Sequence, residues 1–120
     1  MYALLLTTLL ALMNASRATA HVGPLAEDPA LQARAQARAE RMCAAGQFSH
    51  DGYETAFHGL AYRSYGENLA MGNRDPGAIH AQLMNSPGHR TNILRAGYSA
   101  VGVGTSGGRC NITVELFGGR

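Results

Sequence analysis

The chain has 120 residues, a length that corresponds to one domain with a modest hydrophobic core. Its formal net charge is +2 at pH 7, and such a slight basic excess does not indicate nucleic-acid binding. Hydrophobic residues make up 46% of the chain, as in an ordinary globular protein, and the apolar run at the N-terminus is too short to span a bilayer.

The first predicted element is an apolar helix over residues 4–20, in which Leu5, Leu9 and Met13 fall on one face together with Leu12. A secretory signal peptide cleaved after Ala20 is the alternative. The segment lacks the positively charged stretch with which signal peptides begin. We therefore expect a buried helix of the folded domain.

A second helix is predicted from Asp28 to Ala45. Asp28 is a suitable N-cap, Pro29 suits the first helical position, and Gly46 ends the helix. Its apolar residues recur at helical spacing and form the predicted core stripe, which consists of Leu31, Ala35, Ala39 and Met42.

The same helix carries an arginine stripe that consists of Arg34, Arg38 and Arg41. Charges at helical spacing are typical of a solvated helix face. We expect all three guanidinium groups to lie in solvent.

The middle of the chain alternates loop and short elements. Residues 47–64 are predicted to form a loop, and residues 65–71 a short strand or a bend that carries Glu67. Asp75-Pro76 repeats the cap-and-proline start of a helix, which is expected to run to Met84.

The last third predicts a short helix and two strands. Ser86 and Pro87 again provide a cap and a first helical residue, for a helix that ends near Leu94. Residues 97–105 and 111–117 are predicted to be strands joined by a glycine-containing turn. Helices first and strands last indicate an α+β fold.

Two cysteines, Cys43 and Cys110, lie far apart in the sequence without metal-type spacing. The residues alone leave two alternatives open: two buried thiols, or one long-range disulfide.

Three segments in order resemble one known family. Phe48-Ser49-His50, then Gly66-Glu67-Asn68-Leu69-Ala70, then the run from Asn85 to Leu94 (NSPGHRTNIL) look like the short bacterial form of the CAP superfamily, which comprises cysteine-rich secretory, antigen 5 and pathogenesis-related 1 proteins. The resemblance implies a three-layer α-β-α sandwich with a small antiparallel sheet, and a single domain over residues 1–120. It also favours the N-terminal helix over a signal peptide, because cleavage after Ala20 would remove Asn14 and Arg17 from the domain's first helix.

The resemblance further implies a central cleft lined by two histidines and two acidic residues. His50, Glu67 and His89 match three of these positions. Imidazole and carboxylate are ordinary zinc ligands, so the cleft is expected to hold a small ligand or a divalent cation such as zinc.

This chain departs from the family pattern at the second acid. The helix before the Gly-His turn carries His80 and no acidic residue, and we expect His80 to be a partly exposed helix residue. Glu115, the acid of the last strand, is a candidate substitute for the second acid, but we expect it to face solvent. The predicted site therefore has three residues.

Two functions remain open. The first is a secreted or envelope-associated binding module that presents the cleft to a small ligand, a lipid, an envelope component or a divalent cation. The second is a metal-assisted, peptidase-like hydrolase that uses His50, Glu67 and His89 in catalysis. A structural role, in which these side chains tie loops to the sheet, is a third interpretation. We expect no nucleic-acid partner and no transmembrane segment.

Overall fold

The structure is a computed structural model that describes residues 3–120. Its helices are α1 (Ala3–Thr19), α2 (Pro29–Ala45), a 3₁₀ helix (Tyr53–Phe57), α3 (Pro76–Met84) and α4 (Pro87–Leu94). Its strands are β1 (Ala26–Glu27), β2 (Ser64–Met71), β3 (Ala100–Thr105) and β4 (Ile112–Gly119).

The strands form one sheet with the order β1-β3-β4-β2. The three long strands are antiparallel, as predicted, and the two-residue β1 adds a parallel pair with β3 that the sequence did not reveal. Helix α2 packs on one face of the sheet, and α1, α3 and α4 form the layer on the other face. The α+β, three-layer α-β-α architecture is thus confirmed.

Helix α2 lies close against β3 because two glycines face it. A Cβ added at Gly102 would collide with the backbone of Leu31, and one at Gly104 would collide with that of Gln36. The helix begins as predicted, with the Asp28 carboxylate accepting a hydrogen bond from the Ala30 amide at 2.8 Å.

Two glutamines of α2 hydrogen-bond to the backbone of β3 on the side away from β4. The Val103 amide donates to Gln32 Oε1 at 3.0 Å. The Thr105 amide donates to Gln36 Oε1 at 3.0 Å, and Gln36 Nε2 donates back to the Thr105 carbonyl at 2.7 Å. The side of β3 that extends past the short β1 is therefore covered by side-chain amides.

The N-terminal segment is a helix packed against the sheet, as expected. Leu9 and Met13 are fully buried in the core, whereas Leu4 is 78% exposed. Asn14 fixes the helix to the chain that follows it, because its amide donates to the Leu25 carbonyl at 3.1 Å and accepts from the Leu25 amide at 2.8 Å. None of the helices described in residues 3–120 has the length and apolar character that a membrane span needs.

The two cysteines are joined in a disulfide, which decides between the alternatives that the sequence left open. Cys43 in the last turn of α2 and Cys110 before β4 are 67 residues apart in sequence and 5.7 Å apart at their Cα atoms. The bond therefore ties the end of α2 to the β3–β4 turn.

Local structure departs from the predictions at two points. The predicted loop contains the 3₁₀ helix Tyr53–Phe57. The segment after it is the strand β2, which is one of the two predicted alternatives. Ser86 takes the N-cap position of α4, with Pro87 following it, but its side chain makes no capping hydrogen bond.

Candidate functional site

Glu67 lies in the middle of β2, on the face of the sheet that α2 covers. Its side chain is fully buried, and Leu69, two residues further along the same face, belongs to the core under α2. Burial disfavours the charged carboxylate and raises the pKa of Glu67, while hydrogen bonds and charge from Arg38 and then His50 act in the opposite direction. A carboxylate at this depth needs partners.

Arg38 is the main partner of Glu67, and the prediction that its guanidinium lies in solvent is wrong. It is only 6% exposed. Its Nε donates to Glu67 Oε2 at 2.5 Å and its Nη2 to Oε1 at 3.0 Å, which makes a bidentate ion pair. Helical spacing gave no sign of this contact, because Glu67 lies 29 residues later on another element.

The other two members of the arginine stripe differ from each other. Arg34 is half-buried, and its Nη1 donates to the Ala56 carbonyl at 2.8 Å and to the His58 carbonyl at 2.6 Å. Arg41 is exposed, as predicted. Of the three arginines, Arg41 is therefore the one that lies in solvent as expected.

His50 lies in the loop after α2 and contacts the same carboxylate. Its Nδ1 is 3.0 Å from Glu67 Oε1, while its side chain remains 56% exposed. Arg38 also reaches this loop, since its Nη2 donates to the Ser49 carbonyl at 3.3 Å and its Nη1 to the Asp51 carbonyl at 3.5 Å. One guanidinium thus holds both the carboxylate and the two residues that flank His50.

His89 is half-buried in the first turn of α4, a helix that contacts β2. Its Nδ1 is buried and has no hydrogen-bond partner among the described residues. Burial lowers the pKa of His89, and the charge of His50 lowers it further. The two imidazoles are therefore close enough to interact electrostatically.

Two asparagines that the sequence analysis did not single out fix α4 against β2. Asn68 Nδ2 donates to the His89 carbonyl at 3.1 Å. Asn92 Nδ2 donates to Asn68 Oδ1 at 2.9 Å and to the Glu67 carbonyl at 3.3 Å. The sequence contained a signal for these residues, because Asn68 and Asn92 each lie in a motif that carries the family resemblance.

Glu115 does not face solvent, contrary to the prediction. It is fully buried, opposite Asn68 on the neighbouring strand, and Asn68 Nδ2 donates to its Oε1 at 3.1 Å. Burial raises the pKa of Glu115 to about 7. Since Asn68 and Glu67 point to opposite faces of β2, Glu115 does not lie beside Glu67 as a second acid of the site.

His80 is also more buried than expected. It is 9% exposed, and its Nε2 is 2.7 Å from Ser16 Oγ on α1. Burial lowers the pKa of His80, so it acts as a neutral packing residue between α3 and α1 at ordinary pH.

Among the described residues, the side chains around Glu67 do not form a group of metal ligands. Within residues 3–120, no three or more His, Cys, Asp and Glu side chains are arranged to hold one. Both oxygens of Glu67 are engaged by Arg38, and Oε1 also contacts His50. The geometry brings His50 to Glu67, and the predicted convergence of His89 on them and the predicted zinc site stay predictions.

Sequence relatives agree with the resemblance. The chain matches the Cysteine-rich secretory protein family (CAP) over residues 10–117. It is 35% identical over 100 residues to the uncharacterized protein YkwD of Bacillus subtilis, an alignment that covers 78% of this chain and 39% of the relative. The chain therefore spans about two fifths of that relative's length.

Solved structures show the same fold. An extracellular protein with an SCP domain from Bacillus anthracis superposes with a TM-score of 0.90 at 24% identity, over 97% of this chain and 40% of that protein. An outer surface protein of Borrelia burgdorferi superposes with a TM-score of 0.90 at 19% identity, over 100% of this chain and 96% of that protein. With the family match over most of its length, the chain belongs to the CAP family of cysteine-rich secretory proteins.

Proposed function

We propose that this CAP domain, taken as one unit over residues 1–120, is a binding module whose cleft holds a small polar ligand or an envelope component between His50 and His89. Glu67 orients His50. The observation that carries the proposal is the 3.0 Å contact between Glu67 Oε1 and His50 Nδ1, which fixes the imidazole of an otherwise exposed residue.

The surroundings of His50 support an organic ligand. Its Nε2 makes no hydrogen bond within residues 3–120, so it is available to a ligand. Tyr53 lies edge-on to the imidazole with 6.4 Å between ring centroids, and Tyr65 lies 6.1 Å from Tyr53 and is 39% exposed. Aromatic rings beside a few fixed polar groups are typical of sites for small molecules.

The proposed compartment is outside the cytoplasm, either secreted or in the cell envelope. The relatives described as an extracellular protein and an outer surface protein support this location. The Cys43–Cys110 disulfide supports it too, because such bonds persist in oxidising compartments. Fractionation of cells that express the native gene should recover the chain outside the cytoplasm with no free thiol; a reduced cytoplasmic pool would contradict this.

The binding proposal is tested by NMR on the protein labelled at its histidine ring nitrogens. Soluble muropeptide fragments and glycerol phosphate are suitable probes of envelope chemistry. At least one is expected to shift the His50 and His89 signals together, and not those of exposed His21. His89→Ala should abolish the response while its circular dichroism matches that of the native chain. Shifts that persist in His89→Ala would place binding elsewhere, and no shift with any probe would reject this ligand class.

A metal-assisted, peptidase-like hydrolase that uses His50, Glu67 and His89 is the second candidate, favoured by the electrostatic interaction between the imidazoles of His50 and His89. Zinc would be bound by a ring nitrogen of each histidine at about 2.0–2.1 Å. Zinc binding should weaken when the pH is lowered below about 6.5, because protonated imidazole cannot bind a metal. Elemental analysis and a peptide-hydrolysis screen with and without zinc test this function. Hydrolysis that is lost in both His50→Ala and His89→Ala would favour it over the binding module.

A further inference from the structure

We infer that Arg38 determines which ligands the cleft accepts: by occupying the carboxylate of Glu67, it withholds that residue from divalent cations and leaves the site to polar organic ligands. This inference rests on the proposed role of the cleft between His50 and His89. It assigns a specificity-determining role to a residue that does not belong to the family's histidine and acid set.

The contacts of Glu67 carry the first step. Arg38 Nε is 2.5 Å from Oε2, and Arg38 Nη2 and His50 Nδ1 are each 3.0 Å from Oε1. The Glu67 side chain has no solvent-exposed surface, so the remaining lone pairs have no open approach. A cation that enters the cleft therefore meets a carboxylate whose charge is already matched by a guanidinium.

Displacing Arg38 is unfavourable, which is the second step. The guanidinium does not lose its proton in proteins, so it cannot become neutral when a metal takes its partner. It is 6% exposed and is also held by the Ser49 and Asp51 carbonyls. A metal bound to Glu67 would leave a buried cation without a counter-charge, and it would loosen the loop that carries His50.

The third step concerns the metal ligands that remain in the cleft when Glu67 is occupied by Arg38. Without Glu67, a divalent cation finds at most the imidazoles of His50 and His89, whereas a zinc site in a protein usually has three or four protein ligands. An organic ligand needs no displacement of Arg38, because it hydrogen-bonds to the ring nitrogens that Glu67 leaves free. The same ion pair that fixes His50 therefore disfavours zinc.

A purely structural role for Arg38 makes the opposite prediction, and this separates the two interpretations. If Arg38 only holds the loop, its loss should weaken every ligand, zinc included. If Arg38 withholds Glu67, its loss should strengthen zinc binding. Whether zinc affinity rises or falls when Arg38 is replaced therefore distinguishes the two interpretations.

The experiment measures zinc affinity by calorimetry at pH 7.5 for the native chain and three variants. Arg38→Gln frees Glu67 and should raise the affinity at least about tenfold, the scale on which single groups around a metal change its affinity. Arg38→Gln combined with Glu67→Gln should show no gain. Arg41→Gln, on the same helix but exposed, should match the native chain. An unchanged or weaker affinity in folded Arg38→Gln, or a gain that survives Glu67→Gln, would overturn the inference.

Two further measurements keep the test decisive if Arg38→Gln fails to fold. Arg38→Lys keeps a positive charge but cannot bind both carboxylate oxygens as a planar fork, so its zinc affinity should also exceed that of the native chain. In the native chain, the Arg38 Nε–H signal should stay unchanged while zinc shifts the His50 and His89 ring signals. Loss of that signal on zinc addition, or no gain in Arg38→Lys, would overturn the inference. The muropeptide and glycerol phosphate titrations test the cleft separately, so either proposal can fail alone.

Discussion

The guanidinium of Arg17 donates to the carbonyl oxygen of Ile93 at 2.9 Å, across 76 residues of sequence. The same side chain donates to the carbonyls of Gly23, Arg95 and Tyr98, and it is 1% exposed. Ile93 is in the last turn of α4, where carbonyl groups lack helical partners. Arg17 therefore joins the end of α1 to the end of the helix that carries His89.

Arg17→Met should destabilise the fold strongly, because it leaves several backbone carbonyls without a donor. We expect the free energy of unfolding to fall by about 3–5 kcal/mol, because each buried carbonyl left without a donor costs about 1–3 kcal/mol. Urea denaturation followed by circular dichroism measures the change. Arg63→Met, at an exposed arginine, is the control and should lie within about 0.5 kcal/mol of the native chain.

The contribution of α1 to the core can be measured with two leucines of the same helix. Leu9→Ala removes a fully buried side chain and should cost about 2–5 kcal/mol. Leu4→Ala, at a position 78% exposed, should change stability by no more than about 0.5 kcal/mol. Thermal unfolding of both variants gives the comparison. Equal melting temperatures would mean that α1 does not pack on the sheet as described.

Glu115 makes stability depend on pH. Its pKa is about 7 in the folded chain, against an ordinary value of 4.5, so between these values the folded state holds a proton that the unfolded state has released. The free energy of unfolding should therefore fall as pH rises from about 4.5 to about 7. Glu115→Gln does not titrate, so its stability relative to the native chain should rise over that window by up to about 3 kcal/mol. Chemical denaturation at several pH values tests this, and a pH-independent difference would contradict it.

The charge of His50 contributes to the lowered pKa of His89. Burial and the charge of His50 lower the pKa of His89, so NMR titration should find it below 6.5. His50→Gln removes the second cause, and the pKa of His89 should rise part of the way back. His21→Gln, at an exposed residue, should leave it unchanged. Equal His89 pKa values in the native chain and in His50→Gln would show that the two imidazoles do not interact electrostatically.

Reduction of the disulfide should destabilise the chain. With Cys43 and Cys110 67 positions apart in the sequence, the chain-entropy model gives about 4 kcal/mol. The paired variant Cys43→Ala with Cys110→Ala, unfolded in urea beside the native chain with and without reductant, measures this contribution. Thiol titration of the unfolded, unreduced chain should find no free thiol, and two free thiols would contradict the bond.

The helix starts were predictable because their signals are local. Asp28-Pro29 and Asp75-Pro76 each combine a capping carboxylate with a proline at the first helical position, and both helices begin there. Ser86-Pro87 also marks a helix start, although the serine side chain does not cap it. A local motif fixed the boundary even where the detailed contact differed.

The candidate site was only partly predictable, because its remaining contacts are between distant residues. The family motifs pointed to His50 and Glu67, which are in contact, whereas the role of His89 stays a prediction. Arg38 was missed because its partner Glu67 lies on another element, which the helical spacing of α2 cannot reveal. The prediction that Glu115 faces solvent was wrong for a different reason. An alternating strand usually turns its polar residues to solvent, but β4 is an inner strand with helices over both faces, so each of its side chains is buried.

The glutamine amides along β3 affect how copies of this chain behave at high concentration. A bare strand edge is a template onto which a strand of another molecule can add, and proteins that expose one risk aggregation. Here Gln32 and Gln36 already hold the outward amides of Val103 and Thr105. Strand addition from a neighbouring copy at this place would first have to displace these two side-chain amides from the backbone of β3. Two uncharged side chains one helical turn apart thus protect the domain from edge-to-edge polymerisation along this part of β3.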